Sequence, residues 1–178
     1  KWRAMIALMA TTGLRQGEVR ALAWDAVDFD RQRIFVKQAV KKAGKGGAGG
    51  VQIDLPKRDA SVRTLSVSEG VLNLLKAMPN NGDLIFGEAD GTPVDPNKIR
   101  FEVTKAIKRS GVEWRGSSSH TFRHFACSLF MQEFSNPKKV QQLMGHASIT
   151  VTMDIYTHLF KEDEDARDGN RIAGRLGL

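Results

Sequence analysis

His120 and Arg123 stand three residues apart in "SHTFRH", and a helix would put both on one face. His124 follows four residues after His120, which is the spacing of a helical zinc pair. "HTFRH" nevertheless lacks the Glu that a metallohydrolase places between its ligands, and Arg123 would set a fixed cation beside the metal. A guanidinium fork and an imidazole on one face suit a phosphate instead. Upstream, Arg15 lies in "TGLRQGEVRAL" with Glu18 three residues on, where the acid would orient an arginine or close a helix start. Downstream, His146 lies in "LMGHAS", and "TMDIYTHLF" holds Tyr156, the one tyrosine in a chain with nine phenylalanines and three tryptophans. Taken singly, Arg15 reads as a capping residue and His146 as a helix-end packing residue. Tyr156, on a face with Ile149, Met153 and Phe160, reads as core. His124 and His158 read as locally packed.

The elements that must carry these residues follow from periodicity. Ile6, Leu8 and Met9, then Val19, Leu22 and Ala23, predict two helices around a turn at Thr12 and Gly13, with Arg15 at the turn. Three segments rich in β-branched residues, "RIFVKQAV", "VQIDLP" and "VRTLSV", predict a small antiparallel meander. "KKAGKGGAGG", residues 41–50, is of low complexity. It is no phosphate-binding P-loop, because Gly46 rather than Ser or Thr follows Lys45. It reads as a hairpin tip, with or without phosphate contacts from Lys41, Lys42 and Lys45. "SEGVLNLLKAM" and "DPNKIRFEVTKAIKRSG" predict helices, the second started by Asp95 and Pro96. "SHTFRHFACSLFMQEF", "NPKKVQQLMG", "SITVTMDIYTHLF" and "EDEDARDGNRIAGR" predict four more. The fold class is α+β, mainly α, a helical domain with a small three-stranded antiparallel sheet.

Composition bounds the partners. The chain of 178 residues has the size of one domain, and its formal charge is +7. The last 18 residues hold four basic and five acidic side chains, so the remainder carries a net charge of +8. A basic body points to a polyanion, although membrane-surface proteins share that balance. Cys127, the single cysteine, lies in the apolar "HFACSLF" and reads as a buried thiol in a reducing setting. The apolar run near the start is too short for a signal peptide or a membrane span.

"TGLRQGEVRAL", "PKRDASVRTLSV", "HTFRH" and "LMGHASITVTMDIYTH" together resemble the tyrosine recombinase (phage integrase) family, in its catalytic domain. The likeness runs in order from about Thr11 to Phe160. It implies six catalytic positions: Arg15, Lys57 on a β-hairpin, His120, Arg123, His146 and the nucleophile Tyr156. Glu18 would act behind Arg15. The resemblance also implies double-stranded DNA as partner and a homotetramer on DNA for the full-length protein, with accessory DNA-bending proteins as further partners. It implies no membrane, no metal and no other cofactor, and a cytoplasmic, bacterial setting on DNA. Residues 1–178 are expected to form the catalytic domain alone, without the helical DNA-clamp domain that the family carries upstream. DNA binding by such a piece should be weak and steeply salt-dependent. The acid-rich tail would dock on a neighbouring subunit or fold back on its own.

The chemistry fits those types. Breaking a phosphodiester without metal needs a nucleophile, neutralisation of two nonbridging oxygens and a proton for the leaving 5′ oxygen. Arg15 and Arg123 would neutralise, and His120 and His146 would donate hydrogen bonds, with His120 also able to take the phenol proton. Lys57, beside guanidinium groups that favour loss of its proton, is the candidate acid, and Arg58 and Arg63 stand near enough in sequence to take its part. Tyr156 would then hold DNA as a 3′-phosphotyrosyl link that a 5′-hydroxyl reopens without ATP. Two alternatives remain: a type IB topoisomerase, and a DNA-binding module without catalysis. "MGHASITVTMDIYTHLF" leans toward the integrases of prophages and mobile elements over resolvases of chromosome dimers.

Overall fold

The computed structural model describes residues 1–42, 51–54, 62–80, 82–111, 118–134 and 136–160. Lys57, most of the glycine-rich stretch and the acid-rich tail lie outside them.

The chain begins with α1 (Trp2–Thr12), which buries Met5, Leu8 and Met9 and ends where Gly13 turns left-handed. The short α2 (Gln16–Arg20) follows, with Arg15 as its extended N-cap. A single 3₁₀ turn (Trp24–Ala26) leads into β1 (Val27–Asp28) and β2 (Arg33–Val36). Next come β3 (Ala39–Lys42), β4 (Val51–Asp54) and β5 (Arg63–Ser66). Five helices complete the described residues: α3 (Glu69–Lys76), α4 (Pro96–Ser110), α5 (Ser118–Phe134), α6 (Pro137–Met144) and α7 (Ile149–Phe160). Local chemistry sets several starts: the Asp95 carboxylate accepts from Asn97 N–H at 2.6 Å, and the Asn136 side-chain oxygen accepts from Lys138 and Lys139 N–H at 3.1 Å.

The mainly helical fold is as the sequence predicts, but the strands are arranged differently. "RIFVKQAV" is two strands rather than one. β2 lies between β1 and β5 in one antiparallel sheet, with Ile34 opposite Leu65, while β3 pairs with β4 in a separate hairpin, with Val40 opposite Ile53. The break falls at Lys37 and Gln38, whose side chains are tied away: Lys37 to Asp25 at 2.9 Å and Gln38 to the Ala21 carbonyl at 2.6 Å. Beyond it β3 crosses α2 so closely that a Cβ on Gly17 would stand 2.7 Å from the Val40 carbonyl oxygen. Only glycine fits there.

Two apolar cores result. The larger gathers α1, α3, α4 and the sheet around Leu8, Ile34, Leu72, Phe86 and Ile99 and takes in Phe122 of α5. The smaller joins α5, α6 and α7 through Cys127, Met131, Val140 and Met144, with Ile155 packed against it. Helix α5 contributes to both, and Arg123 lies between Phe122 of one and Cys127 of the other. Cys127 is fully buried. Among the described residues no helix is long and apolar enough to cross a membrane.

Candidate active site at the end of helix α6

Three arginines converge on three consecutive carbonyls at the C-terminus of α6. Arg63 Nε donates to Leu143 O at 2.7 Å, Arg123 Nη2 donates to Met144 O, and Arg15 Nη2 donates to Gly145 O at 2.6 Å. The last carbonyls of a helix have no partner within it and carry partial negative charge, so they hold cations well. Arg123 ties in a second helix end by donating from Nη1 to Gly13 O, just past α1, at 2.6 Å. One buried guanidinium thereby fixes α1 and α6 against α5.

Gly145 is required at the centre of this arrangement. Its φ is +64°, and a Cβ there would stand 3.0 Å from Arg63 Nη1 and 3.3 Å from Arg15 Nη1. Any side chain would be strained by the backbone and would press on two guanidinium groups.

Glu18 is the single carboxylate in the cluster. Its oxygens accept from Arg15 N–H at 2.7 Å, Arg15 Nη1 at 2.9 Å, Arg63 Nη1 at 3.0 Å and Arg63 Nη2 at 2.9 Å. Burial alone would push this carboxyl up, yet the Arg63 fork, followed by the Arg15 amide and guanidinium, holds it below the ordinary carboxylate value. Arg63 and Glu18 side chains are 6% and 5% exposed, whereas that of Arg15 is 38% exposed. Arg63 is therefore committed to the scaffold, and the sequence-based idea that it stands in for Lys57 does not fit its position. Three guanidinium groups and one carboxylate leave two positive charges. Arg123 feels that excess: burial, then repulsion from Arg15, lowers its guanidinium to about 9, which still leaves it cationic at neutral pH.

His146 follows the turn. Its backbone is held to α6, because its N–H donates to Gln141 O at 3.1 Å and Gln141 Nε2 donates to its carbonyl at 3.2 Å. Its ring contacts α7, with Nδ1 2.9 Å from Thr152 Oγ1. Burial, then the charges of Arg123, Arg15 and Arg63, lowers the imidazole to about 4. His146 is thus neutral at pH 7.

Arg15, His120, Arg123 and His146 border one cavity of about 280 Å³, closed on another side by Val151 and Ile155 of α7. His120 is exposed on the first turns of α5. His124, expected to pack locally, is instead exposed and lines the same cavity. Tyr156 belongs to α7, next after Ile155 and one turn beyond Thr152. Lys57 falls outside the described residues. A larger hollow of about 860 Å³ beside Trp24, Lys37 and Asp83 includes none of these residues. Among the described residues no three His, Cys, Asp or Glu side chains gather as a metal site. Sequence reasoning did not find Thr152 or the Arg63–Glu18 pair, and no spacing in the sequence marks either.

Residues 1–163 match the family model described as the phage integrase family. Among curated proteins, the chain is 26% identical over 91% of its length to a "Tyrosine recombinase XerC-like" protein of Caldanaerobacter subterraneus subsp. tengcongensis, covering 46% of that protein. It is 25% identical to the integrase of Staphylococcus phage L54a over 86% of this chain and 47% of that protein. The chain thus spans about half the length of the curated relatives it matches. Among solved structures, the fold is like that of the Tn1549 transposon integrase in complex with circular intermediate DNA, with a TM-score of 0.77 and 20% identity over 97% of this chain and 58% of that one. It is also like that of the XerA recombinase, with a TM-score of 0.62 and 23% identity over 97% and 57% of the two chains.

Proposed function

Because this chain belongs to the phage integrase family, we propose that it is the catalytic domain of a site-specific DNA recombinase that cuts and rejoins double-stranded DNA through Tyr156. The observation that carries this reading is the cluster at the end of α6, where Arg15, Arg123 and His146 border a cavity walled by the helix that bears Tyr156. Attack of a tyrosinate on a phosphodiester gathers two negative charges at phosphorus, and the cluster holds two net positive charges before DNA arrives. Charges fixed in advance by Glu18 and the α6 carbonyls need little reorganisation as the reaction proceeds, which is where such sites gain most of their rate.

In this mechanism Arg15 and Arg123 clamp the nonbridging oxygens, His146 donates one hydrogen bond from a neutral ring, and exposed His120 donates another or takes the phenol proton. Glu18 acts behind them by holding Arg15. Lys57 remains our candidate acid for the 5′ oxygen. The covalent 3′-phosphotyrosyl link preserves the bond energy, so rejoining needs no nucleotide cofactor. The names of the curated relatives weigh toward recombination over relaxation of supercoils. A tetramer on DNA, assembled by the full-length protein, is part of the same proposal.

A nicked suicide DNA duplex carrying a candidate attachment site, resolved on a denaturing gel, tests the reading. Wild-type protein should form a protein–DNA adduct and Tyr156→Phe should form none. No adduct from wild-type protein on any site it binds removes the enzyme reading, and an adduct from Tyr156→Phe removes the nucleophile, since the chain has no other tyrosine.

A further inference from the structure

We infer that Thr152 is a positioning residue that fixes His146 as the tautomer with its proton on Nε2, so that the ring presents a donor to the cavity. The tautomer follows from the geometry alone, while its consequence for DNA cleavage rests on the function proposed above.

Thr152 is completely buried on α7, and its hydroxyl lies 2.9 Å from His146 Nδ1. Four other helical threonines dispose of their hydroxyl protons in one way: Thr11, Thr12, Thr104 and Thr157 each donate to the carbonyl four residues back, at 2.6 to 2.9 Å. Thr152 makes no such bond among the described residues. Its equivalent carbonyl would be that of Ser148, just before α7 begins. The imidazole nitrogen is therefore the acceptor within reach. Were Nδ1 to carry the proton and donate to Oγ1, the hydroxyl hydrogen would be buried without a partner, an arrangement that folded proteins avoid. The hydroxyl donates, Nδ1 accepts through its lone pair, and in a neutral ring the one remaining proton is on Nε2.

Orientation follows from the same contacts. The His146 backbone belongs to the α6 turn and is tied to Gln141, while its ring is tied to α7. Thr152 thus sets both the plane of the ring and the nitrogen that bears hydrogen, from a position one turn before Tyr156. The opposite tautomer would aim a lone pair at a phosphate oxygen and repel it.

Two readouts separate this inference from the proposed activity. Long-range ¹H–¹⁵N spectra of the ¹⁵N-labelled protein report which His146 nitrogen bears hydrogen without any DNA. Wild-type protein and Thr152→Ser should show an unprotonated Nδ1 and a protonated Nε2, and Thr152→Val, similar in shape but lacking the hydroxyl, should show mixed tautomers. On the suicide duplex, Thr152→Val should form adduct about tenfold more slowly while Thr152→Ser keeps most of the rate; this is less than the roughly hundredfold that outright removal of an oriented donor costs, because the His146 ring stays and only its tautomer is freed. DNA affinity should be the same for all three. A protonated Nδ1 in the wild-type spectrum overturns the inference, even if Thr152→Val fails to fold. Equal adduct rates for Val and Ser overturn the positioning role. A protonated Nε2 without adduct formation would sink the recombinase reading and leave the tautomer standing.

Discussion

Glu18 and Glu88 are each held between two basic residues. Glu88 has Lys98 at 3.0 Å and Lys1 at 3.7 Å, and these side chains are 28%, 53% and 27% exposed. Water can replace either partner, and two flexible lysine stems must be ordered to make the contacts. Glu18 is 5% exposed and receives four hydrogen bonds, two of them from the planar fork of Arg63. The formal pattern is the same in both places. The difference is that water cannot stand in at Glu18, so removing one partner there leaves an uncompensated buried charge. At Glu88 the same removal leaves a solvated one.

Glu18→Gln should have the largest effect, a loss of about 3–5 kcal/mol in urea unfolding, because Arg63 would remain buried without its counter-charge. A loss below about 1 kcal/mol would break the comparison.

An intermediate effect is expected from acid, and it sharpens the electrostatics of the same cluster. The folded protein holds His146 at about 4, against an ordinary value near 6.5, so between those pH values the unfolded chain binds a proton that the folded chain refuses. Stability should therefore fall as pH drops through that window, by on the order of 1–2 kcal/mol between pH 7 and pH 5. His146→Gln should flatten that limb. Below it, the lowered Glu18 carboxyl gives stability that is present above the ordinary carboxylate value and lost as pH falls through its folded value. Unfolding curves at successive pH values for wild type and His146→Gln measure both limbs, and an unchanged slope in the variant would remove His146 as the source.

Glu88→Gln should cost the least, between zero and about 1 kcal/mol, with a further decrease in high salt. A cost matching that of Glu18→Gln would mean that burial is not what separates the two clusters.

Much of the fold was legible in the order of residue types. The amphipathic periods of "SEGVLNLLKAM" and "NPKKVQQLMG", the Asp95 and Asn136 caps and the glycines ending helices are local signals, and local physics decided those elements. The strand break at Lys37 was not legible, since the contacts made there by Lys37 and Gln38 go to Asp25 and Ala21, more than ten residues back. In the site, Arg15, His120, Arg123 and His146 could be selected by spacing and family resemblance. The partner of Glu18 could not, because Arg63 is 45 residues away and on a strand, and nothing in either segment names the other.

By itself the sequence determined which groups are available: three guanidinium groups that stay charged, an imidazole that can be neutral, one carboxylate among them, and one phenol in the whole chain. Their chemistry is intrinsic, and periodicity was enough to place most of them on helices. Only the tertiary structure decided their states. Packing α1, α5 and α6 at the seam of two cores brought three arginines onto one helix end, removed the water that would have screened Arg63 and Arg123, and gave Glu18 to Arg15 and Arg63 at once. The same packing placed a buried threonine against one nitrogen of His146. Charge, protonation and tautomer depend on which groups share a space without water, and no stretch of sequence contains that information.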